Sequence, residues 1–287
     1  VKRGLRGRLH FENIPAMLNA LEWFLKLGRL KNTGVRNAFA LSVHCSDFVF
    51  PNLPAAFDGT RILFMSDLHI DGMPALPDII KNLVETVDYD FCVLGGDYNY
   101  GWIDRSRPAG ELMSRLADIL LKKSRVFGVL GNHDSFQMAE ILDVCGVEML
   151  LNDSVILERD GSKISLTGLD DCHYFGAHDF DQSEESLTRE CFRVLISHSP
   201  EQYAEAEARG YSLYLAGHTH GGQICIPPGY AVVTSSTVPR RMLVGRWRYR
   251  RMQGYTSTGA GCSGITVRYF CPPELALITL KTLTTDK

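Results

Sequence analysis

Arg61-Ile62-Leu63-Phe64-Met65-Ser66-Asp67-Leu68-His69 is the stretch of sequence that decides the fold. Its first part is a short apolar run of the kind that forms a buried strand. Its last part ends in the polar pair Asp67-x-His69. Because alternate side chains of an extended segment point to the same side, this stretch predicts a buried strand that delivers a carboxylate and an imidazole at its carboxyl end.

The same arrangement recurs along the chain. Four further apolar runs, at 91–95, 126–130, 193–197 and 213–216, each end in a polar cluster. In order, these clusters are Gly95-Gly96-Asp97, Gly131-Asn132-His133-Asp134, Ser197-His198-Ser199 and Gly217-His218-Thr219-His220-Gly221-Gly222-Gln223. Ligands of open α/β sheets bind at the carboxyl ends of the strands, so we expect the five clusters to meet in one crevice.

Helical segments alternate with the first of these runs, over 77–87, 110–122 and 137–144. Such alternation predicts an α/β sheet whose strands are largely parallel. Further on, 154–158 and 163–167 flank Asp160-Gly161, which predicts a hairpin. Near the end, 265–270 and 275–280 predict two more strands, separated by Pro272-Pro273.

The residue types of the clusters suit a pair of metal ions. Carboxylate and imidazole ligands favour Zn, Fe and Mn, and no thiolate stands among them. One carboxylate can bridge two ions about 3.5–4 Å apart. Each cluster alone is weak evidence, because a Gly-Asp or an Asn-His-Asp usually forms an ordinary turn. All five clusters in order, with five of the nine histidines among them, predict a binuclear site.

The order DxH, GD, GNHD, H and GHxH over residues 67–220 resembles the signature of the calcineurin-like metallophosphoesterases. The segments 217–224 and 267–275, the second of which contains Pro272-Pro273-Glu274, resemble more closely the bacterial YkuE/YaeI-like phosphoesterases. The similarity covers about residues 58–282. It implies an α/β fold, a four-layer α-β-β-α sandwich of two mixed β-sheets, and hydrolysis of phosphoester or pyrophosphate bonds.

The resemblance also implies a role for each matched residue, carried over by position. The first metal would be held by Asp67, His69 and His220, the second by Asn132, His198 and His218, and both by Asp97. His133 would not be a ligand but would face the scissile phosphate and stabilise or protonate the leaving oxygen. The implied cofactors are two divalent ions, Mn, Fe or Zn, with Mn the choice in vitro. Such ions neutralise phosphate charge and lower the pKa of a water molecule.

One departure concerns the partner of His133. Protein Ser/Thr phosphatases follow Gly-Asp with a further Asp-Arg-Gly, but here Tyr100 and Gly101 replace the Asp-Arg pair. The usual carboxylate partner of the catalytic histidine is therefore missing from its expected place, and protein phosphatase activity is not predicted. Asp134 is an adjacent carboxylate whose geometry the sequence leaves open.

The chain divides by composition into residues 1–57 and a metallophosphoesterase domain over 58–287. The first 44 residues carry eight basic and two acidic side chains, although the whole chain has a net charge of −3. Apolar residues recur there at helical spacing between Asn13 and Gly28. This basic amphipathic helix either docks on the main domain or lies on a membrane surface.

Two other segments have open interpretations. Six arginines surround Trp247 and Tyr249 within 240–251, which indicates either a solvated basic hairpin or a patch that binds anionic groups. Asp170-Asp171, with His173 and His178, resembles a further ligand set. We interpret it as a polar loop, because the metal site is complete without it.

The bulk properties limit the partners and the compartment. A net charge of −3 gives no global attraction to nucleic acid, and no apolar run reaches the roughly 18–20 residues of a membrane span. No signal-peptide core is evident, and the eight cysteines are dispersed without a CxxC pair, which is typical of a reducing compartment. We expect a cytoplasmic protein, peripheral on the inner face of the cytoplasmic membrane, with contact through residues 13–36 and 240–251.

The expected substrate is a phosphorylated small molecule or lipid, and no obligatory protein partner is evident. One concrete hypothesis is the pyrophosphate of UDP-diacylglucosamine, which certain relatives in the superfamily cleave in lipid A synthesis. A soluble phosphodiesterase acting on cyclic nucleotides or nucleic acid is an alternative. A non-catalytic scaffold that kept the fold is another, but the full ligand set argues against it.

Overall fold

The computed structural model describes residues 15–101, 106–185, 187 and 191–283. Its helices are α1 (Pro15–Leu27), α2 (Lys31–Ala38), α3 (Leu76–Val84), α4 (Ser106–Leu121), α5 (Phe136–Cys145), α6 (Phe180–Ser183) and α7 (Tyr203–Ala208). Its strands are β1 (Ser42–Phe50), β2 (Arg61–Met65), β3 (Phe91–Leu94), β4 (Arg125–Gly128), β5 (Glu148–Met149), β6 (Asp153–Arg159), β7 (Ser162–Gly168), β8 (Phe192–Ile196), β9 (Leu213–Ala216), β10 (Cys225–Ile226), β11 (Tyr230–Ala231), β12 (Gly245–Tyr249), β13 (Met252–Thr256) and β14 (Glu274–Thr282).

Two six-stranded mixed sheets form the centre of the described molecule. The first has the order β1-β14-β2-β3-β4-β5, in which β2 to β5 are parallel and β14 is antiparallel to β2. The second has the order β12-β13-β9-β8-β7-β6, in which β13, β9, β8 and β7 are parallel and both edge strands are antiparallel to their neighbours. The carboxyl ends of β2, β3, β4, β8 and β9 carry the five polar clusters.

Alternation of side chains along each strand explains why the sheets stack. Ile62 and Phe64 of β2 pack between the two sheets, against Val194 of β8. Leu63 and Met65, the residues in between, pack with the apolar faces of α3, α4 and α5. In the second sheet, alternate residues of β8 and β9 face outward, toward α6 and α7. This confirms the predicted four-layer α-β-β-α sandwich of two mixed sheets.

One predicted strand is wrong. Residues 265–270 form no strand apart from an isolated bridge between Tyr269 and Ile224. The backbone N–H groups of Arg268 and Tyr269 donate to the carbonyls of Gly34 and Gln223, which lie in different parts of the chain. The segment is apolar enough for a strand, but its hydrogen bonds go to separate loops rather than to one neighbouring strand.

The N-terminal segment is partly built into the main sheet. Strand β1 pairs in parallel with β14 along its whole length, and Phe48 and Phe50 are buried between the sheets. Before it, α2 docks on residues 268–269, where the Tyr269 hydroxyl donates to the carbonyl of Leu30. Residues 1–14, which carry half of the basic side chains of this segment, lie outside the described residues. The division at residue 57 stays a prediction.

The helix predicted before Gly28 is present as α1, and it exposes part of its apolar surface. Leu25 is buried, whereas Trp23, Phe24 and Leu27 are 58%, 62% and 67% exposed. Within the described part of the chain, no helix has both the length and the apolar character needed to cross a membrane. Four of the six arginines of the arginine-rich segment lie in the β12–β13 hairpin at the edge of the second sheet, and Arg240 and Arg241 lie just before it.

Candidate metal centre

The five polar clusters meet where the two sheets come together. Within the first sheet, the Asp67 and His69 amides donate to the carbonyls of Gly96 and Asp97, at 2.9 and 3.0 Å. Between the sheets, the His218 amide donates to the carboxylate of Asp67 at 3.0 Å. The crevice predicted from the sequence is therefore a single site shared by both sheets.

The site residues fall into two groups. Asp67, His69 and His220 form one group, whose candidate ligand atoms all lie within 4.8 Å of one another. Asp97, His198 and His218 form a second group that meets the same limit, and all six residues are buried. These are the residues that the family resemblance assigned to the first metal, the second metal and the bridge. Their roles as ligands stay a prediction, with which this geometry agrees.

Asp97 lies between the two groups. Its Oδ2 is 3.2 Å from His198 Nε2 in its own group and 3.7 Å from His69 Nε2 in the other. Its Oδ1 accepts the backbone N–H of His133 at 2.8 Å. One carboxylate oxygen is thus anchored by the backbone, while the other faces imidazoles of both groups, as a bridging ligand requires.

Backbone carbonyls fix the histidine tautomers. His69 Nδ1 lies 2.7 Å from the carbonyl oxygen of Asn99, and His198 Nδ1 lies 2.8 Å from that of Gly95. Because a carbonyl can only accept, each Nδ1 carries a proton, and Nε2 is the nitrogen that each ring turns toward the site. His218 has the opposite arrangement, since its Nε2 lies 3.3 Å from the carbonyl oxygen of Ser235.

The side chain of Asn132 indicates that a cation fits this site. It is 3% exposed, and its Oδ1 has no hydrogen-bond partner among the described residues. A buried amide oxygen without a donor is costly, and a divalent cation is a natural partner for it. The residues that are present therefore fit the implied pair of ions, with Asn132 in the second site.

His133 lies at the same crevice and is 8% exposed. Its ring stands edge-on to His69, with 4.9 Å between the ring centroids. Its backbone amide is fixed on Asp97, so the imidazole has a defined place beside the two groups. This placement agrees with the predicted role at the leaving oxygen, which stays a prediction.

Asp134 is a functional residue whose role the sequence did not reveal. Its Oδ2 accepts the backbone N–H groups of Asp97 and Gly131, at 2.7 and 2.9 Å. Its Oδ1 accepts those of Tyr98 and Asn99, at 2.8 and 3.2 Å. Asp134 therefore holds two metal-site loops together and does not replace the missing carboxylate partner of His133.

The backbone of the site is held in an unusual conformation. Five candidate ligands have left-handed φ angles between 40° and 69°: Asp67, His69, Asp97, His218 and His220. Such angles are uncommon for residues with a side chain, and they cluster at functional sites because the surroundings enforce them. Three of the five ligand blocks follow a glycine that makes room, as at Gly217, where a Cβ would overlap the Ser66 hydroxyl and the Asp67 carboxylate.

Burial and charge set the protonation of the site. Burial raises the pKa of Asp67 to about 6. Burial also opposes the charge on Asp97, but His198 and His133 outweigh it and hold the pKa of Asp97 well below its usual range. Burial likewise disfavours a charged His198, yet the neighbouring Asp97 raises its pKa to about 10. A cation that binds here takes the place of a proton on His198.

Two further segments border the site. The loop with Asp171 is polar, as predicted, because the Asp171 carboxylate accepts the backbone N–H groups of His173, Tyr174 and Phe175. His173 nevertheless contacts the site, with its ring centroid 4.1 Å from that of His218. The second segment contains Tyr100, which stands where protein Ser/Thr phosphatases have an aspartate. Its hydroxyl donates to the carbonyl of Gly264.

Comparison with known proteins agrees with this geometry. A family model for calcineurin-like phosphoesterases matches residues 60–222, which is more than half of the 287-residue chain. The uncharacterised metallophosphoesterase YkoQ of Bacillus subtilis is 28% identical over 226 residues, which is 75% of this chain and 81% of its own. The uncharacterised metallophosphoesterase YkuE of the same organism is 27% identical over 241 residues, which is 80% of this chain and 82% of its own. The phosphodiesterase YaeI of Escherichia coli is 26% identical over 233 residues, which is 77% of this chain and 82% of its own. The chain belongs to the calcineurin-like phosphoesterase family and is a metal-dependent phosphoesterase.

Proposed function

We propose that the protein hydrolyses a phosphodiester or pyrophosphate bond in an amphiphilic or nucleotide-linked substrate, at the cytoplasmic face of a membrane. The observation that carries this proposal is the apolar rim, which we define as Phe136, Phe175, Val232 and Val233. These four side chains are between 45% and 66% exposed, and in the sequence each lies close to a residue of the buried, polar site. A substrate with both a phosphate and an apolar part would satisfy both surfaces.

Each member of the apolar rim lies close in the sequence to a residue at the site. Phe136 follows His133 by three residues and begins α5. Phe175 follows His173, which packs on His218. Val232 and Val233 precede Ser235, whose carbonyl oxygen lies 3.3 Å from His218 Nε2. Single exposed apolar residues are ordinary, but a group of them around one crevice indicates a binding surface for apolar groups.

Helix α1 supports a position at a membrane surface. Trp23, Phe24 and Leu27 expose more than half of their surface. Lys26 and Arg29 lie in the same stretch and are also exposed. Apolar side chains beside basic ones are what an interfacial helix needs in order to bind anionic lipids.

The arginine-rich segment supports the same position less strongly. The Arg246 guanidinium lies 4.6 Å from the ring centroid of Phe48, and Arg250 lies 3.4 Å from the Glu207 carboxylate. Arg240 packs 4.4 Å from the ring centroid of Tyr230, whereas Arg241 is exposed next to the partly exposed Val244. Of these four arginines, Arg241 is therefore the one that we expect to meet anionic head groups.

The residues of the site suggest how the reaction proceeds. Asp67, His69 and His220 would hold one divalent cation, Asn132, His198 and His218 the other, and Asp97 both. When bound, such cations neutralise phosphate charge and lower the pKa of water, which supplies the nucleophile. His133 would donate to the leaving oxygen, a contribution that is typically about 10²–10⁴-fold for general acids.

The relative YaeI carries the name phosphodiesterase, which favours a diester or pyrophosphate over a monoester for this chain too. A pyrophosphate that links a nucleotide to a lipid, as in UDP-diacylglucosamine, is the concrete substrate that we propose. Its charged part suits the buried crevice, and its acyl chains suit the apolar rim.

A substrate screen with Mn²⁺ tests the proposal. We expect turnover of a chromogenic phosphodiester and faster turnover of UDP-diacylglucosamine in mixed micelles, with little activity on cyclic nucleotides. His133→Ala should keep its bound Mn²⁺ and lose most of the activity. A preference for cyclic nucleotides would contradict the amphiphilic substrate, and equal rates for His133→Ala and the parent protein would refute the role of His133.

Co-sedimentation with vesicles tests the membrane contact separately. We expect binding to vesicles that contain phosphatidylglycerol and weaker binding to pure phosphatidylcholine. The double substitution Phe24→Ser and Leu27→Ser should reduce this binding. Val144→Ser serves as the matched control, because Val144 is 88% exposed on α5, apart from the basic stretch. Equal loss in both variants would count against α1 as the membrane contact.

A further inference from the structure

The His173–Glu201 pair, outside the predicted ligand set, borders the second metal group. His173 belongs to the loop that follows β7, where Asp171 accepts its backbone N–H at 3.2 Å. The His173 side chain is 11% exposed and that of Glu201 is 18% exposed. Neither residue was expected at the site from the sequence, where the His173 loop was interpreted only as a polar loop.

His173 packs directly on a candidate ligand. Its ring centroid lies 4.1 Å from that of His218, with 44° between the ring planes. The ring centroid of His198 lies 5.2 Å from that of His218, in an edge-on arrangement. The His218 imidazole therefore has two imidazoles as packing partners, of which only His198 is a candidate ligand.

Glu201 accepts hydrogen bonds both from His173 and from the segment that follows Ser235. One carboxylate oxygen accepts His173 Nδ1–H at 2.9 Å. The other accepts the Ser236 hydroxyl at 3.2 Å, and the backbone N–H and the hydroxyl of Thr237 at 3.1 Å each. The next residue before this segment is Ser235, whose carbonyl oxygen lies 3.3 Å from His218 Nε2.

Glu201 thus ties together the ring that packs on His218 and the segment that accepts its proton. With Nε2 facing the carbonyl oxygen of Ser235, the lone pair of His218 is on Nδ1, which is the atom that would bind a cation. Both the plane and the tautomer of this imidazole depend on groups that Glu201 fixes. The first metal group has a different support, because His69 bonds the carbonyl of Asn99.

We propose that His173 and Glu201 are positioning residues that orient His218 for the second cation and leave the first cation site unaffected. The proposal rests on the assignment of His218 as a ligand and is independent of the substrate. Residues that orient a metal-ligating histidine typically contribute about 10–100-fold in metal affinity. We therefore expect one of two Mn²⁺ ions to bind that much more weakly when the pair is broken.

The experiment measures Mn²⁺ binding without substrate, by equilibrium dialysis with elemental analysis and by electron paramagnetic resonance. The parent protein should bind two ions and give the spectrum of a coupled pair. His173→Ala should bind one ion with unchanged affinity and the other about 10–100-fold more weakly, and should give the spectrum of isolated Mn²⁺ at intermediate concentrations. His173→Phe, which keeps a ring against His218, should lose less affinity than His173→Ala.

The matched control is His178→Ala in the same loop, since the His178 ring faces Phe180, with 6.3 Å between the ring centroids. This control should bind both ions as the parent does. Glu201→Gln is the second test variant, in case His173→Ala does not fold, and it should weaken the same ion. Two ions bound with parental affinity by a folded His173→Ala or Glu201→Gln would overturn the proposal. A parent protein that binds fewer than two ions would overturn both the positioning role and the ligand assignment. If the protein only failed to hydrolyse UDP-diacylglucosamine, the positioning role would still stand.

Discussion

Gly217 shows at the scale of one residue how tightly the metal-site loops are packed. A Cβ at this position would overlap the Ser66 hydroxyl and the Asp67 carboxylate. We expect Gly217→Ala to destabilise the fold by about 1–3 kcal/mol, the usual cost of overpacking, and to abolish most of the activity because Asp67 must move. Urea unfolding and Mn²⁺-dependent turnover of a chromogenic phosphodiester measure the two effects.

Gly101→Ala is the control for this substitution, because a Cβ there would have no atom of the described residues within 4 Å. It should leave both stability and activity within error of the parent. If Gly217→Ala behaved in the same way, the close approach of the two loops would not be required for the site.

Asp134 is a second test at this scale. Asp134→Asn keeps the shape of the side chain but replaces one acceptor oxygen with a donor, so that backbone N–H groups of the Asp97 or Gly131 loops lose their partner. A buried donor without a partner costs about 1–3 kcal/mol. We expect a lower melting temperature and weaker Mn²⁺ binding, whereas Asp143→Asn on the exposed face of α5 should change neither. An unchanged melting temperature for Asp134→Asn would contradict the assigned role.

The metal-site residues could be predicted from the sequence, but their supports could not. Asp67, Asp97 and His198 each follow an apolar run, and that pattern is visible along the chain. Asp134 acts mainly through the backbone amides of residues 97–99 and His173 through the ring of His218, and these groups lie far away in the sequence. No local pattern records such contacts, since they depend on how the loops meet in space.

Among the larger elements, residues 258–271 depend on one buried cation. Arg268 is fully buried and donates to the carbonyls of Thr258, Gly259, Gly261 and Cys271. The amides of Ala260 and Gly261 in turn donate to the carbonyls of Ser66 and Asp67. The guanidinium therefore supports the backbone on which the first metal group is built.

We expect Arg268→Lys to destabilise the protein by at least about 2 kcal/mol. An ammonium cannot reach four carbonyls as the planar guanidinium does, and hydrogen bonds to charged groups contribute about 1.5–3 kcal/mol each. Denaturant unfolding measures the loss, and Arg251→Lys at the exposed turn of the β12–β13 hairpin is the control. Equal stability of the two variants would show that the hydrogen bonds of the Arg268 guanidinium are not required for stability.

At this scale the sequence predicts regular elements better than irregular ones. The strands before each polar cluster and helices α3, α4 and α5 were predicted with shifts of a few residues at their ends, because their apolar periodicity is clear. The strand expected over 265–270 was wrong. Periodicity cannot show that the side chain of Arg268, in this segment, will donate to the carbonyls of a neighbouring loop. Strand β1 was not predicted. Its polar and apolar residues do not alternate regularly, since Val49 stands between Phe48 and Phe50, and the strand depends on pairing with β14, more than 200 residues away.

For the whole molecule, the metal centre exists only when both sheets are packed together. One sheet supplies Asp67, His69, Asp97, Asn132 and His133, and the other supplies His198, His218 and His220. The apolar layer between the sheets, built from residues such as Phe64, Phe127 and Ile196, holds these two halves in register. Cation binding across this junction should therefore stabilise the fold as a whole.

Metal addition and removal test this coupling between the site and the global fold. Cations that bind the folded state alone stabilise it by about 2.7 kcal/mol at a concentration 100 times the dissociation constant. We expect Mn²⁺ to raise the melting temperature of the metal-free protein, and a chelator to reverse the increase. Asp97→Asn keeps the side-chain shape but lacks the charge that faces both groups, so Mn²⁺ should raise its melting temperature much less. If Mn²⁺ stabilised both proteins equally, the cations would bind somewhere other than between the sheets, because Asp97 is the carboxylate that lies between His69 of one group and His198 of the other.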